Sequence, residues 1–421
     1  MIQSSSIASA YSPPFRTVSK YFVTAIISFV LLNLLLLLNH SDIIGHHFNP
    51  KILAITHIAT LGWISMIIFG ALFQLVPVVL EVKLFSEVLA EVQFWIYLIG
   101  VSGLVYSFWF FETGLYMNIS AILLNLAMFI FAFNIIMTFT KVKKWNITGL
   151  YLASAIFYLI VTAIAGLLLA INLGSPYIKI DHLQYLNLHA HVAFIGWVSM
   201  VVMGVAYKLI PMFTLSHGYS MKYANWAFWL INIGLLGINT IFHYEDTTFL
   251  YYIFTPMIAL GILLFLIQVF IIFKKRVRKK LDTGLKYSSY AFLMLGLTTV
   301  LGIFIAFVDY QNILNLTLIY GYMIIFGYLS MLIVGQMYKI VPFLVWYHKY
   351  SSKVGIEKVP MLKEMFNEKY AGYGLHLMIA AILGSIYSLT FRSEIGLLVS
   401  FSIMFISSLI FSINMITIFR K

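Results

Sequence analysis

The chain has 421 residues, of which 62% are hydrophobic and 10% charged, with a formal net charge of +12 and a mean hydropathy of +0.98. A soluble globular chain carries about a quarter charged residues, so a water-soluble fold is excluded, as are disorder, collagen and coiled coil. No cysteine is present, which excludes disulfides, thiolate metal sites, iron–sulfur clusters and covalent CxxCH attachment of a prosthetic group.

Apolar runs long enough to cross the bilayer as helices recur down the chain. They predict twelve spans, at 21–39, 52–80, 88–110, 119–140, 150–171, 185–213, 224–242, 250–273, 287–308, 315–345, 371–391 and 395–419. The first follows Arg16 and Lys20. It is longer than a signal-peptide core, and Asn39-His40-Ser41-Asp42 offers no small-residue cleavage site, so it is kept as a span. Twelve spans put both termini on one side. Of the 26 Lys and Arg residues, 21 fall in loops on that side, including Lys141, Lys143, Lys144 and the run from Lys274 to Lys280. The opposite loops hold Lys51, Lys179 and Arg392, while Lys208 and Lys339 lie near helix ends. Basic residues stay cytoplasmic, so the termini are expected in the cytoplasm of a prokaryotic-type inner membrane. The +12 is then a topology signal that requires no nucleic-acid partner.

The second run reads His57, Gly62, Trp63, Ser65, Met66, Gly70 and Pro77. The sixth repeats it as His191, Gly196, Trp197, Ser199, Met200, Gly204 and Pro211. The tenth gives Tyr322, Gly327, Tyr328, Ser330, Met331, Gly335 and Pro342. The spacing is the same in all three. Gly100 and Gly103 likewise map to Gly234 and Gly237, while Asn134 maps to Gln268 and to Asn414. The chain is expected to be three units of four helices, at 1–149, 150–284 and 285–421, forming one membrane domain. The glycines suit close helix packing in lipid, and the prolines a kink or a helix end.

Of eleven histidines, His57, His189, His191 and His376 fall within spans. His57 is about five residues inside its span, roughly 8 Å deep, with His189 and His191 at a similar level. An ionisable group in a span is a functional candidate, and imidazole is an axial ligand for haem iron. His189 and His191 point about 200° apart, so they serve opposite faces of the sixth helix. Gln74, Lys208 and Lys339 share a position about 25 Å further along. They are read either as cytoplasmic-interface residues or as the mouth of a proton path. Glu81, Glu112 and Asp309 are read as solvated residues at span ends, and His40, His46 and His47 as a solvated loop or a weak metal site.

With His189-Ala-His191-Val-Ala-Phe-Ile-Gly196-Trp197 on a twelve-span frame, the chain resembles the haem–copper oxidase subunit I superfamily, the cbb3 type in particular. It is more distantly similar to the NnrS family of membrane haem proteins. The resemblance implies an all-α fold with pseudo-threefold symmetry and non-covalent b-type haem. It also implies electron transfer or O2/NO chemistry, with a cytochrome c, quinol or copper-bearing partner. His189 is expected to ligate a haem, with His57 as sixth ligand or holding a distal metal or gas ligand. A variant pairs His57 with His191. Tyr320 and Tyr322 ligate or hydrogen-bond a second haem, or simply pack. The pattern departs from the family in three places. The His-x-His pair is on the sixth helix and not the tenth. The seventh helix has only His243 and lacks a His-His pair, so a three-histidine copper site is not supported. No carboxylate lies in mid-span. The competing expectations are an NnrS-like sensor or stress protein and a haem-free transporter. Trp63 and Trp197 pack either on a porphyrin edge or on neighbouring helices.

Overall fold

The computed structural model describes residues 11–178, 182–241, 249–307 and 313–421. Lys179, His243 and Asp309 lie outside the described residues. The long helices are α1 (Phe15–Leu38), α2 (Pro50–Leu80), α3 (Glu87–Phe110), α4 (Leu115–Phe139), α5 (Ile147–Gly174) and α6 (His182–Thr214). They continue as α7 (Lys222–Ile241), α8 (Tyr251–Lys274), α9 (Thr283–Phe307), α10 (Asn315–Lys353), α11 (Glu368–Thr390) and α12 (Glu394–Arg420). Among the described residues eleven of these are long and apolar enough to cross a membrane. The chain is therefore an all-α membrane protein. The exception is α7, whose apolar residues are diluted by Lys222, Asn225, Asn232 and Asn239.

Polar side chains at the helix starts satisfy the first free N–H groups. Ser86 accepts from Leu89 N, Asn146 from Gly149 N and Ser393 from Gly396 N. After Pro77 and Pro211 the helices run three residues further, then stop at Glu81 and Leu215 in the left-handed conformation, φ 56° and 54°. There Val82 N and Ser216 N donate back to the proline carbonyls at 3.0 and 3.1 Å. Pro342 has no such stop, and its helix continues to Tyr350.

The chain divides into two compact units, residues 1–21 with 68–279 and residues 22–67 with 280–421. In the first, α3 crosses α4 and α7 crosses α8 over glycines. A Cβ on Gly103 would fall 2.3 Å from Ser120 Oγ, and one on Gly237 would fall 2.4 Å from Phe254 Cδ1. Asn134 Nδ2 donates to the Ser86 carbonyl at 2.7 Å, and its Oδ1 accepts from Ser86 N at 3.0 Å. Gln268 Nε2 donates to the Ser220 carbonyl at 2.9 Å. The Tyr21 hydroxyl donates to the Ala90 carbonyl at 2.6 Å, and that of Tyr151 to the Ala224 carbonyl at 2.9 Å.

The second unit uses the same devices. Gly384 of α11 leaves room for Ser400 of α12, where a Cβ would fall 2.6 Å from Oγ. Asn414 Nδ2 donates to the Asn367 carbonyl at 3.3 Å, and its Oδ1 accepts from Asn367 N at 3.2 Å. The Tyr287 hydroxyl donates to the Ala371 carbonyl at 3.3 Å. Amide groups such as those of Asn33, Gln93 and Gln268 are fully buried, whereas Ile27, Trp95, Trp229, Phe270 and Ile395 are exposed. This inside-out pattern suits a lipid surround, and each of these amides has one partner within the protein. Asn33 Nδ2 donates to the Phe29 carbonyl, Gln93 Oε1 accepts from the Tyr21 hydroxyl and Gln268 Nε2 donates to the Ser220 carbonyl.

Three helices leave the α register at matching places. Ile58–Ser65 in α2, Val192–Ser199 in α6 and Met323–Ser330 in α10 are π-helical. Sequence periodicity predicts uninterrupted α-helix there. The wider turn is rare and concentrates at functional sites.

Candidate functional site

Each π-helical segment begins directly after one of the positions singled out above: His57, His191 and Tyr322. His57 belongs to the second unit, and His189 and His191 to the first. The Nδ1–H of His57 donates to the Leu53 carbonyl at 2.7 Å. The Nδ1–H of His191 donates to the Asn187 carbonyl at the same distance. A carbonyl only accepts, so a neutral ring bonded this way has its proton on Nδ1 and its lone pair on Nε2. A metal-binding imidazole held by a backbone carbonyl has this arrangement. His57 is half-buried, and His191 is exposed. No residue of His182–His191 is buried. An exposed imidazole within a span is poorly matched to lipid and calls for a polar partner.

His189 has a different environment, as its spacing from His191 requires. Its ring lies over Gly166 of α5, where a Cβ would fall 3.1 Å from Cε1. Tyr320 sits in the same way over Gly302 of α9, where a Cβ would fall 3.0 Å from Cε2. Tyr322 is buried, stacks on Phe326 at 4.7 Å and donates its hydroxyl to Ser385 Oγ at 3.0 Å. That bond engages the hydroxyl in holding α10 to α11.

Both tryptophans pack on neighbouring helices. Trp63 is fully buried, stacks on Phe29 at 4.4 Å and donates its indole N–H to Ser330 Oγ at 3.0 Å. Trp197 lies against Phe69 and Phe131, at 5.8 and 6.2 Å. The matched glycines are crossed by the preceding helix. A Cβ on Gly62, Gly196 or Gly327 would meet Ser28 at 3.1 Å, Tyr158 at 2.5 Å or Met294 at 2.7 Å.

Gln74, Lys208 and Lys339 have three different surroundings. Gln74 Nε2 donates to Ser12 Oγ at 2.6 Å, and Lys208 is exposed. Lys339 is ion-paired with Asp282 and largely covered. In the loop before α2, His46 and His47 stack at 4.3 Å, and Lys51 pairs with Asp42 at 2.7 Å. Among the described residues no group of three or more His, Asp or Glu side chains stands together to hold a metal ion.

Sequence reasoning missed the π-helical segments, the glycine seats under His189 and Tyr320, and the Asp282 partner of Lys339. The first coincide with the matched Gly-aromatic-x-Ser run, which was the available signal. Compared with known proteins, the chain matches no family model and no curated protein.

Proposed function

We propose that this chain is a haem-binding membrane protein of the respiratory type, acting in electron transfer or in O2 or NO chemistry. The observation that carries this reading is the pair His57 and His191, each with Nδ1–H fixed to its own helix at 2.7 Å and each opening a π-helical segment. The donor set fits haem, since iron takes a neutral imidazole nitrogen. His57, in the second unit, and His191, in the first, are each a candidate ligand within its own unit. His189, seated on Gly166, is the further candidate. Bound haem supplies reversible one-electron iron chemistry and, where a coordination position is open, binding of a diatomic gas.

The residues of the chain set the conditions for that chemistry. The Leu53 and Asn187 carbonyls hold each ring in one tautomer and orientation. Span interiors carry no carboxylate, so histidine and tyrosine are the groups present to handle a proton at the depth of the rings. Tyr320 is the tyrosine whose position in α10 matches His189.

The membrane frame proposed with this function is twelve spans in three four-helix repeats, with both termini cytoplasmic. The recurring tyrosine-to-alanine-carbonyl bonds, the amide clamps on helix starts and the three π-helical segments support the repeat. The Lys and Arg asymmetry supports the orientation. A cytochrome c or a quinol is the donor class such a protein would use.

Optical spectra of the purified chain, oxidised and reduced, with and without CO or NO, test the function. A Soret band that shifts with CO or NO is expected for gas chemistry, and an insensitive band for electron transfer alone. Absence of any Soret band in protein purified from haem-replete cells would overturn the proposal and favour a transporter.

A further inference from the structure

A groove of about 360 Å³ opens between α9 and α11 in the second unit. Helix α9 gives it Lys286, Ser289 and Tyr290, and α11 gives it Gly372, Leu375 and His376. Positions 286 and 290 lie one turn apart, as do 372 and 376, so each helix turns one stripe toward the groove. Gly372 makes the hollow, for a Cβ there would meet nothing within 4 Å. Behind it the Tyr287 hydroxyl, bonded to the Ala371 carbonyl at 3.3 Å, ties the two helices together.

The groove faces outward. Lys286, Tyr290 and His376 are exposed, on two helices long and apolar enough to cross a membrane. An outward groove between spans is filled by lipid. Lys286 is three residues from the start of α9 and His376 eight from the start of α11. Those offsets correspond to roughly 5 and 12 Å along the helices, from headgroup level toward the ester level. Lys286 has no ion pair among the described residues. Asp282, one turn before it, is paired with Lys339. Among the described residues that line the groove, Lys286 is the one Lys, Arg, Asp or Glu side chain. An ammonium at the rim with neutral donors deeper is complementary to a phosphate above ester carbonyls.

We infer that this groove binds one acidic phospholipid. Lys286 takes the phosphate, Tyr290 and His376 meet the glycerol and ester oxygens, and an acyl chain lies along Gly372 and Leu375. This assignment rests on the membrane fold alone and is independent of haem.

The test uses the full chain in nanodiscs of phosphatidylcholine with one tenth phosphatidylglycerol, followed by detergent extraction and native mass spectrometry. One phosphatidylglycerol per chain is expected to persist. Lys286→Gln is expected to weaken retention about fivefold, since a cation near the surface is worth about 1 kcal/mol. Gly372→Leu fills the hollow with a better helix former and is expected to abolish retention with unchanged thermal unfolding. Lys358→Gln, in the exposed loop before α11, is expected to change nothing. Equal retention in Lys286→Gln and Gly372→Leu would overturn the assignment. So would equal retention of phosphatidylcholine, or displacement by millimolar glycerol 3-phosphate, which would make the groove a site for a soluble phosphate.

Discussion

The indole N–H of Trp63 donates to the hydroxyl of Ser330 at 3.0 Å, joining two π-helical segments that are far apart in sequence. Both residues are fully buried. Ser330→Ala leaves that N–H without its partner, and an unsatisfied buried donor costs about 1–3 kcal/mol. Thermal unfolding in detergent is expected to show the loss, with a shift in tryptophan emission. Trp63→Phe in the Ser330→Ala background removes the orphan and is expected to recover part of the stability.

Gly196 lies under the Tyr158 ring, where a Cβ would fall 2.5 Å from Cγ. Gly196→Ala therefore forces α5 and α6 apart and is expected to cost about 1–3 kcal/mol, as overpacking does. Gly372→Ala, in open space, is expected to melt no earlier than the parent. Equal melting of the two variants would remove the packing account of the matched glycines.

Lys339 and Asp282 pair where both are mostly covered, with side chains 15% and 27% exposed. Asp282→Asn strands the lysine. Partial solvent access moderates the penalty to about 1–3 kcal/mol, below that of a fully buried pair. The double change Asp282→Asn with Lys339→Met is expected to regain most of the loss. A double-mutant cycle of thermal stabilities measures the coupling.

His47 titrates below its ordinary value of 6.5 because burial disfavours its charge and His46 stacks beside it. With the folded pKa lowered, the unfolded loop binds more protons, so stability rises with pH across this window. The contribution is complete above about 6.5 and is lost as pH falls through the lowered pKa. Amide protection factors in residues 40–49, corrected for the intrinsic pH dependence of exchange, are expected to fall on going from neutral to mildly acidic pH. His47→Gln is expected to flatten that dependence, and an unchanged slope would contradict it.

The long apolar helices were legible because hydrocarbon thickness fixes run length. Helix α7, with its three asparagines, is helical within two residues of its predicted bounds but is not among the eleven long and apolar enough to cross a membrane. The alignment of His57, His191 and Tyr322 was legible because the residues after them keep one spacing. The Tyr21, Tyr151 and Tyr287 bonds were not, since these tyrosines are offset by 130 and 136 residues, unlike the 134 and 131 of the matched helices. The π-helical segments were hidden too. A change of hydrogen-bond register over eight residues leaves an all-apolar side-chain pattern unchanged. The Asp282 partner of Lys339 is 57 positions away in sequence, and only the packing of α9 against α10 brings them together.

The central claim is that imidazoles at the heads of the π-helical segments hold haem. Haem per chain, measured by pyridine haemochrome in His57→Ala, His191→Ala and His189→Ala proteins of unchanged thermal stability, tests it most directly. Loss of haem in His57→Ala and in His191→Ala is expected, with a smaller change in His189→Ala. Full haem occupancy in both His57→Ala and His191→Ala would contradict the account.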